Sequence, residues 1–195
     1  MKIIGITGGI GTGKSTVLNF LKQEYNAYIV EADRLAHELM LPGEAAYRQI
    51  TDIFGTAILS TDGTIDRNRL GTIVFGDAEA LRKLNAVIHP AVKQYILQDI
   101  EARKKEGNVK YYVIEAALLI EDGYKTICDE LWYIYTEREE RIRRLIAGRG
   151  GSREKWENVI GNQSSDDYYR TNCDYVIDNG RGFEYTINIV KELLS

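Results

Sequence analysis

Short apolar runs alternate with helical periodicity along most of the chain. Five runs have the β-branched and aromatic character of strands: IIGIT (3–7), AYIV (27–30), YYVIE (111–115), LWYIY (131–135) and DYVID (174–178). Helix-like stretches follow several of them, and in residues 14–25 the apolar positions Val17, Leu18, Leu21 and Tyr25 share one helical face. Strands that are apolar throughout and alternate with helices predict an α/β fold, with a five-stranded parallel sheet covered by helices on both faces.

Two segments interrupt this alternation. Residues 33–106 show mostly helical periodicity, with breaks near PGE (42–44) and LSTDGTID (59–66). We predict a helical insertion that caps the C-terminal edge of the sheet, where open α/β sheets bind ligands. Residues 137–157 are charged, rich in arginine and contain several glycines, which predicts a mobile helical lid. The whole chain, 1–195, is therefore expected to be one domain with two helical subregions.

Composition and charge exclude several classes of protein. A chain of 195 residues with 44% apolar and 28% charged residues is typical of a single globular domain with a substantial core. The net charge of −4 argues against a general nucleic-acid binder, which needs a basic surface. No apolar run approaches the roughly 18 residues that span a bilayer, and no signal peptide precedes the first strand. We therefore expect a cytoplasmic protein without membrane contact. A monomer is the expectation for its oligomeric state, which the sequence does not decide, and an oligomer stays open.

The clearest chemistry lies in GGIGTGKST (8–16), directly after the first strand. Its spacing, Gly8-x-x-x-x-Gly13-Lys14-Ser15, is that of a P-loop. Glycines let successive backbone N–H groups point at phosphate oxygens, and the helix that follows adds the positive end of its dipole. Lys14 is expected to reach the β- and γ-phosphates, and the Ser15 hydroxyl to bind Mg²⁺. The residues predicted to bind ATP in this loop are Gly9, Ile10, Gly11, Thr12, Gly13, Lys14, Ser15 and Thr16.

A P-loop does not identify the reaction by itself. A GTP switch needs a guanine-reading N-K-x-D motif, which is absent, and a mechanical ATPase needs partner-contact elements for which the chain has little room. A small-molecule kinase fits better, because the insertion offers an acceptor site and a closing lid excludes water. The lid arginines, Arg141 and Arg144 among them, could then cover the transferring phosphates, or form solvated pairs such as Glu140–Arg144. A regulatory protein that hydrolyses ATP slowly also stays open.

Two positions outside the loop have alternative interpretations. In VEAD (30–33), a continuing strand would place Glu31 and Asp33 on one side. Asp33 could then serve an acceptor hydroxyl as a general base, or it could simply cap the following helix. His89 precedes Pro90, and a proline usually holds such a residue in an extended conformation, which is typical of a structural histidine.

These motifs, taken in order, resemble the dephospho-coenzyme A kinase family over essentially the whole length. The stretches that carry the resemblance are GITGGIGTGKST, VEADRLAHEL, PGEAAY, DGTIDRNRL with VF, LNAVIHP, ALLIEDG, the lid with Gln163, and CDYVIDN. The resemblance implies a P-loop core with an acceptor-binding helical region and a lid. It also implies transfer of the γ-phosphoryl group of ATP to the ribose 3′-hydroxyl of dephospho-coenzyme A, with Mg²⁺, as the last step of coenzyme A biosynthesis. Another small-molecule or nucleotide P-loop kinase is the alternative.

The resemblance also suggests roles for single residues. It implies catalysis by Asp33, Lys14 and Arg144, and contact with ATP by Arg144 and by Asn179, the latter near the adenine. Contact with the acceptor is implied for Asp33, His89, Leu118 and Glu121. Metal binding is implied for Ser15, with Glu31 or Glu115 as further, indirect candidates.

The chain departs from the family's usual pattern in a few places. Glu31 and Glu115 stand where aspartate is usual, and Ala117 stands where proline is usual. The longer acidic side chains bear on the geometry of the metal site. Val159 replaces an arginine and Arg149 lies one position away from the usual spacing, so the lid offers fewer phosphate contacts than the family pattern implies.

Overall fold

The computed structural model describes residues 1–195 and divides into two compact units. The first unit comprises Met1–Val30 and Gly107–Ser195, and the second comprises Glu31–Glu106. The strands are β1 (Lys2–Thr7), β2 (Tyr28–Glu31), β3 (Tyr111–Glu115), β4 (Glu130–Tyr135) and β5 (Tyr175–Asp178). The helices are α1 (Lys14–Tyr25), α2 (Ala32–Glu38), α3 (Tyr47–Phe54), α4 (Arg67–Gly76), α5 (Ala78–Glu106), α6 (Arg138–Arg149), α7 (Arg153–Gly161), α8 (Asp166–Asn172) and α9 (Phe183–Leu194).

The sheet confirms the predicted α/β class. Its strand order is β2-β3-β1-β4-β5, and each end of every strand lies within one residue of the end that the apolar runs predicted. β1 is central and pairs in parallel with β3 and β4, and β4 pairs in parallel with β5. Ile6 of β1 is opposite Glu115 of β3, so the C-terminal ends of these two strands meet beside the P-loop. This is the edge at which an open parallel sheet binds its ligand.

The core of the first unit lies on the sheet and the helices packed against it. Ile4 and Ile6 of β1, Trp132 of β4 and Leu21 of α1 are fully buried in one cluster. The strands have apolar side chains on both faces, which is why they are apolar throughout instead of alternating. Burial of this set is the main driving force that fixes the sheet below the P-loop.

The second unit consists of helices, in keeping with the helical periodicity of residues 33–106. Its helices α2, α3 and α4 pack against the 29-residue helix α5. Pro90 lies inside α5, so the expectation that His89 is extended is wrong. Proline removes one helical hydrogen bond and disfavours helix at the preceding residue. Here the helix continues through it because apolar residues on both sides, such as Val87 and Ile96, are buried.

Candidate active site

The P-loop joins the end of β1 to the start of α1. Gly13 is the N-cap residue of α1 and has φ 84° and ψ 30°, a left-handed conformation that glycine adopts without strain. A Cβ atom at this position would also collide with the side-chain amide of Asn179. The glycine required by the motif is therefore required twice here, by the turn and by a neighbouring side chain.

Several backbone N–H groups of the loop are available for a ligand. Those of Gly11, Gly13, Lys14 and Ser15 donate to no acceptor in the protein. Unpaired N–H groups at the start of a helix, together with the positive end of the helix dipole, form an anion site. The loop can therefore bind phosphate through its main chain.

Lys14 lies between the loop and the end of β3. Its Nζ donates to the carbonyl oxygen of Gly8 at 2.7 Å and lies 3.4 Å from Oε1 of Glu115. Both side chains are largely buried, with exposed fractions of 18% and 13%. The pairing of β1 with β3 brings Glu115 to this place, since Glu115 is opposite Ile6. A positive and a negative group thus stand side by side at the phosphate site.

The donor set for a divalent ion is small. The chain contains no group of three or more His, Cys, Asp and Glu side chains that could hold a metal ion. Mg²⁺ at nucleotide sites does not need one, because it takes most of its ligands from phosphates and water. Ser15 is exposed at the start of α1, and Glu115 is the nearby carboxylate of the same unit. These oxygen ligands fit Mg²⁺ bound together with a triphosphate.

Helices α6 and α7 pack on the outer side of the loop. They form a buried apolar cluster of Ile142, Leu145, Trp156 and Ile160, joined by Ile10 of the P-loop and by Val159. Gly150 and Gly151, with φ of 66° and 87°, separate the two helices. The predicted lid, 137–157, is thus a helix pair whose second member continues to Gly161. Val159, where the family pattern has arginine, faces this apolar cluster.

Arg144 and Asn179 are in direct contact. The Arg144 Nη2 donates to the carbonyl oxygen of Asn179 at 2.8 Å, and its Nε donates to Oε1 of Glu140 at 2.8 Å. The pair with Glu140 was one of the two alternatives for this arginine, and the contact with Asn179 places the guanidinium beside Gly13 as well. Hydrogen bonds from Arg143 and Arg144 lower the pKa of Glu140 to about 2. Arg143 itself is exposed and pairs only with Glu140.

Asn179 supports the loop from below. Its Nδ2 donates to the carbonyl oxygens of Thr12 at 2.8 Å and Gly13 at 3.4 Å, and its Oδ1 accepts from the Thr186 hydroxyl at 2.9 Å. All polar atoms of this buried side chain are therefore engaged within the protein. Thr136, which no sequence motif marked, donates to the same Thr12 carbonyl at 3.0 Å. Its place directly after β4 was the available signal, since functional groups gather at this edge.

Arg141 turns toward the protein instead of toward solvent. Its Nε donates to the carbonyl oxygen of Ile10 at 2.9 Å, and its Nη2 donates to Oε1 of Gln163 at 2.7 Å. The same Oε1 accepts the N–H of Ile10 at 3.0 Å. The expectation that this arginine belongs to a set closing over the phosphates is wrong, because its guanidinium is buried against the loop backbone. Composition alone gave no sign of this, since Arg138 and Arg143 of the same helix are exposed.

The acidic pair of VEAD lies at the start of the second unit. The strand ends at Glu31 and Ala32 begins α2, so Asp33 is helical and the expected continuing strand is absent. Both carboxylates are nevertheless exposed, while Ala32 is buried. Asp33 lies in the first turn of α2, whose N-cap residue is Glu31. Capping by Asp33 is therefore excluded, and its carboxylate makes no hydrogen bond or ion pair within the protein.

The remaining predicted acceptor residues lie in both units. Leu118 and Glu121 follow β3 in the first unit and are exposed. The Ser164 hydroxyl donates to Oε1 of Glu121 at 3.0 Å, which ties this turn to the segment after α7. His89 is half-buried on α5 of the second unit. The structure thus gathers the P-loop, Arg144 and Asn179 within the first unit, and carries Asp33 and His89 on the second.

Comparison with known proteins points to one family. The family model described as CoaE, dephospho-CoA kinase, matches residues 2–184. The dephospho-CoA kinase of Carboxydothermus hydrogenoformans is 40% identical over 186 residues, covering 95% of this chain and 89% of that protein. Among solved structures, TT1252 from Thermus thermophilus has a TM-score of 0.82 at 30% identity, covering 99% of this chain and 96% of that one. A dephospho-CoA kinase from Campylobacter jejuni has a TM-score of 0.72 at 26% identity, covering 99% and 98%. None of the helices combines the length and the apolar character needed to cross a membrane.

Proposed function

The chain belongs to the dephospho-CoA kinase family, and from this premise we propose how its residues divide the work of the reaction. The protein is an ATP-dependent kinase that phosphorylates dephospho-CoA in coenzyme A biosynthesis. The observation that supports the proposed roles best is the set of unpaired N–H groups at the start of α1, next to the paired Lys14 and Glu115.

The P-loop holds the phosphoryl donor. The free N–H groups of Gly11, Gly13, Lys14 and Ser15 bind phosphate oxygens, and Lys14 leaves Gly8 for the β- and γ-phosphates. The Ser15 hydroxyl, with Glu115 as a further candidate, would hold Mg²⁺, which would supply neutralisation of the phosphate charge. The presence of Glu115 beside Lys14 supports this assignment, because a divalent cation and an ammonium group together offset the negative charge of the site.

Asp33 serves the acceptor. Its exposed carboxylate, which makes no hydrogen bond or ion pair within the protein, accepts the proton of the ribose 3′-hydroxyl as that oxygen bonds to the γ-phosphorus and the bond to ADP breaks. Because the transition state of phosphoryl transfer is loose, much of its contribution is orientation of the hydroxyl. Leu118, Glu121 and His89 contact the rest of the acceptor, and Glu31 supports the metal or the position of Asp33.

Arg144 neutralises charge that develops on the transferring group. It lies on α6 beside Gly13, and its guanidinium already has a backbone carbonyl partner in Asn179. Asn179 acts mainly by holding Thr12 and Gly13, since its amide has no free polar atom for the base. An arginine that meets the phosphates only on closure of the lid contributes most in the transition state.

A comparison of acceptors tests the function. ADP release is measured with ATP and Mg²⁺ alone, then with dephospho-CoA, adenosine, AMP or pantetheine, and the product is examined by ³¹P NMR. We expect release that depends on dephospho-CoA and a new phosphomonoester at the 3′ position. Equal turnover with AMP or adenosine would favour another small-molecule kinase, and release without any acceptor would favour a slow ATPase.

Light scattering after gel filtration tests our proposal that the protein acts as a monomer.

A further inference from the structure

Arg141 is the one charged residue among the buried side chains of the chain. Its exposed fraction is 5%, and it forms no ion pair with a carboxylate. Burial lowers the pKa of its guanidinium, with Asp166 and the tyrosines Tyr133 and Tyr169 acting in the opposite direction. Burying an arginine without a directly bonded carboxylate is costly unless its donors are hydrogen-bonded. None of the roles proposed above for the P-loop involves Arg141.

The partners of Arg141 are both polar groups of one P-loop residue. The guanidinium binds the Ile10 carbonyl oxygen directly and the Ile10 N–H through Gln163, in a closed ring of three hydrogen bonds. The guanidinium and the Gln163 Oε1 also occupy the space where a Cβ atom on Gly9 would lie. The two side chains therefore hold the first half of the loop on its outer side.

The arrangement has a direct consequence for the inner side of the loop. When the N–H and the carbonyl of Ile10 are both bound on the outer side, the N–H groups of Gly11 and Gly13 have no protein acceptor, while that of Thr12 donates to the Gly9 carbonyl oxygen at 3.4 Å. The guanidinium also places a positive charge behind Gly9 and Ile10, where its hydrogen-bond partners, Gln163 and the carbonyl, are neutral. Both effects favour the bound triphosphate.

We propose that Arg141 and Gln163 are positioning residues for the phosphoryl donor, which set the curvature of the P-loop by holding Ile10 from outside. The proposal rests on the function given above, in which this loop binds ATP. It assigns the two residues to the donor and not to the acceptor. Neither residue touches the reacting atoms; both act through the backbone of the loop.

Matched variants separate this role from simple packing of α6. Arg141→Met keeps the length of the side chain and removes all donors, Arg141→Lys keeps the charge, and Gln163→Leu removes the shared acceptor. The control is Arg153→Met, because Arg153 is exposed, lies on α7 and hydrogen-bonds Glu139 and Glu157 without touching the loop. For each variant, the affinity for ATP is measured by calorimetry without acceptor. Values of kcat, KM for each substrate and the melting temperature complete the set.

The expected result is selective for the donor. Arg141→Met should lower kcat/KM for ATP by about 100-fold, the size of effect that follows from misplacing a reacting group by an ångström. The KM for dephospho-CoA should stay within threefold, and Arg141→Lys should recover part of the ATP affinity. The effects of Arg141→Met and Gln163→Leu should not multiply in the double variant, because each breaks the same ring. Arg153→Met should stay within about threefold of the parent, since exposed ion pairs contribute little.

Three outcomes would overturn the proposal. The first is an ATP affinity and a kcat/KM within threefold of the parent in Arg141→Met. The second is that the effects of Arg141→Met and Gln163→Leu multiply in the double variant. The third is an equal loss of kcat/KM for both substrates that follows the melting temperature alone. If Arg141→Met does not fold, Gln163→Leu and Arg141→Lys carry the same comparison. Binding of ATP is measured without acceptor, so an error in the proposed acceptor chemistry would appear in the parent enzyme's turnover and leave this test intact.

Discussion

Lys14 and Glu115 form an ion pair where β3 ends beside the P-loop, with Nζ 3.4 Å from Oε1. The pairing of β1 with β3 creates this contact, because Glu115 is opposite the residue that precedes Thr7 at the end of β1. These contacts hold the Lys14 ammonium group next to the phosphate site. Its carboxylate partner, Glu115, stands where we propose that the Mg²⁺ accompanying the nucleotide binds.

Removal of the ammonium group of Lys14 should abolish most turnover. We expect Lys14→Ala to keep the melting temperature within a few degrees and to lower kcat by about 10²–10³, the usual cost of losing one electrostatic group in a transition state. Lys14→Arg should also be poor, because a planar guanidinium does not replace a compact charge. Steady-state kinetics check this, and a rate for Lys14→Ala within threefold of the parent would refute the assignment.

Substitution of Glu115 should change the requirement for metal. Glu115→Gln keeps the shape and removes the charge, so we expect a tenfold or greater increase in the Mg²⁺ concentration at half-maximal rate, as for groups that support metal ligands. The control is Glu130→Gln, which removes a carboxylate paired with Lys2 at the opposite end of the sheet. An unchanged Mg²⁺ dependence, with only a raised KM for ATP, would show that Glu115 serves Lys14 alone.

Loss of Arg144 should affect the chemical step more than binding. We expect Arg144→Ala to lower kcat by about 10²-fold, with a change in KM for either substrate below about fivefold, because we propose that its contact with phosphate is made mainly in the transition state. Arg143→Ala is the matched control, since Arg143 binds the same Glu140 from the exposed side of α6. A large rise in KM for ATP at unchanged kcat would instead assign Arg144 to ground-state binding.

We expect the proposed role of Asp33 to depend on its charge. Asp33→Asn should lower phosphoryl transfer by at least about 10² while ATP affinity stays unchanged, and Glu31→Gln should be milder. Glu38→Gln controls for loss of an acidic group from the same helix, where Glu38 pairs with Arg34. Calorimetry with ATP and single-turnover rates provide the measurement. Near-parental transfer by Asp33→Asn would reject catalysis by this carboxylate.

The strands and the P-loop were predictable because each depends on local signals. Apolar runs predicted the ends of strands such as β3 within one residue. Gly13 was predictable because glycine is the residue that adopts the left-handed conformation of this turn without strain. The prediction of an extended His89 failed because burial of apolar residues along the rest of α5 outweighed the local preference of Pro90 against helix. The expectation that Arg141 would cover the phosphates failed for a different reason. Nothing in the pattern distinguishes a buried arginine of α6 from an exposed one, since only tertiary contact with Ile10 does so.

The apolar cluster on which α6 and α7 meet the P-loop gives the protein a built-in fluorescent reporter. The chain has two tryptophans: Trp132 lies in the sheet core, while Trp156 lies in that cluster with its Nε1 bonded to the Gly150 carbonyl at 2.8 Å. In a Trp132→Phe variant all indole emission would come from the helix pair. The wavelength of maximum emission would then change with the exposure of the Trp156 ring to water. Stopped-flow mixing with nucleotide could therefore time any movement of these helices during turnover without an added label.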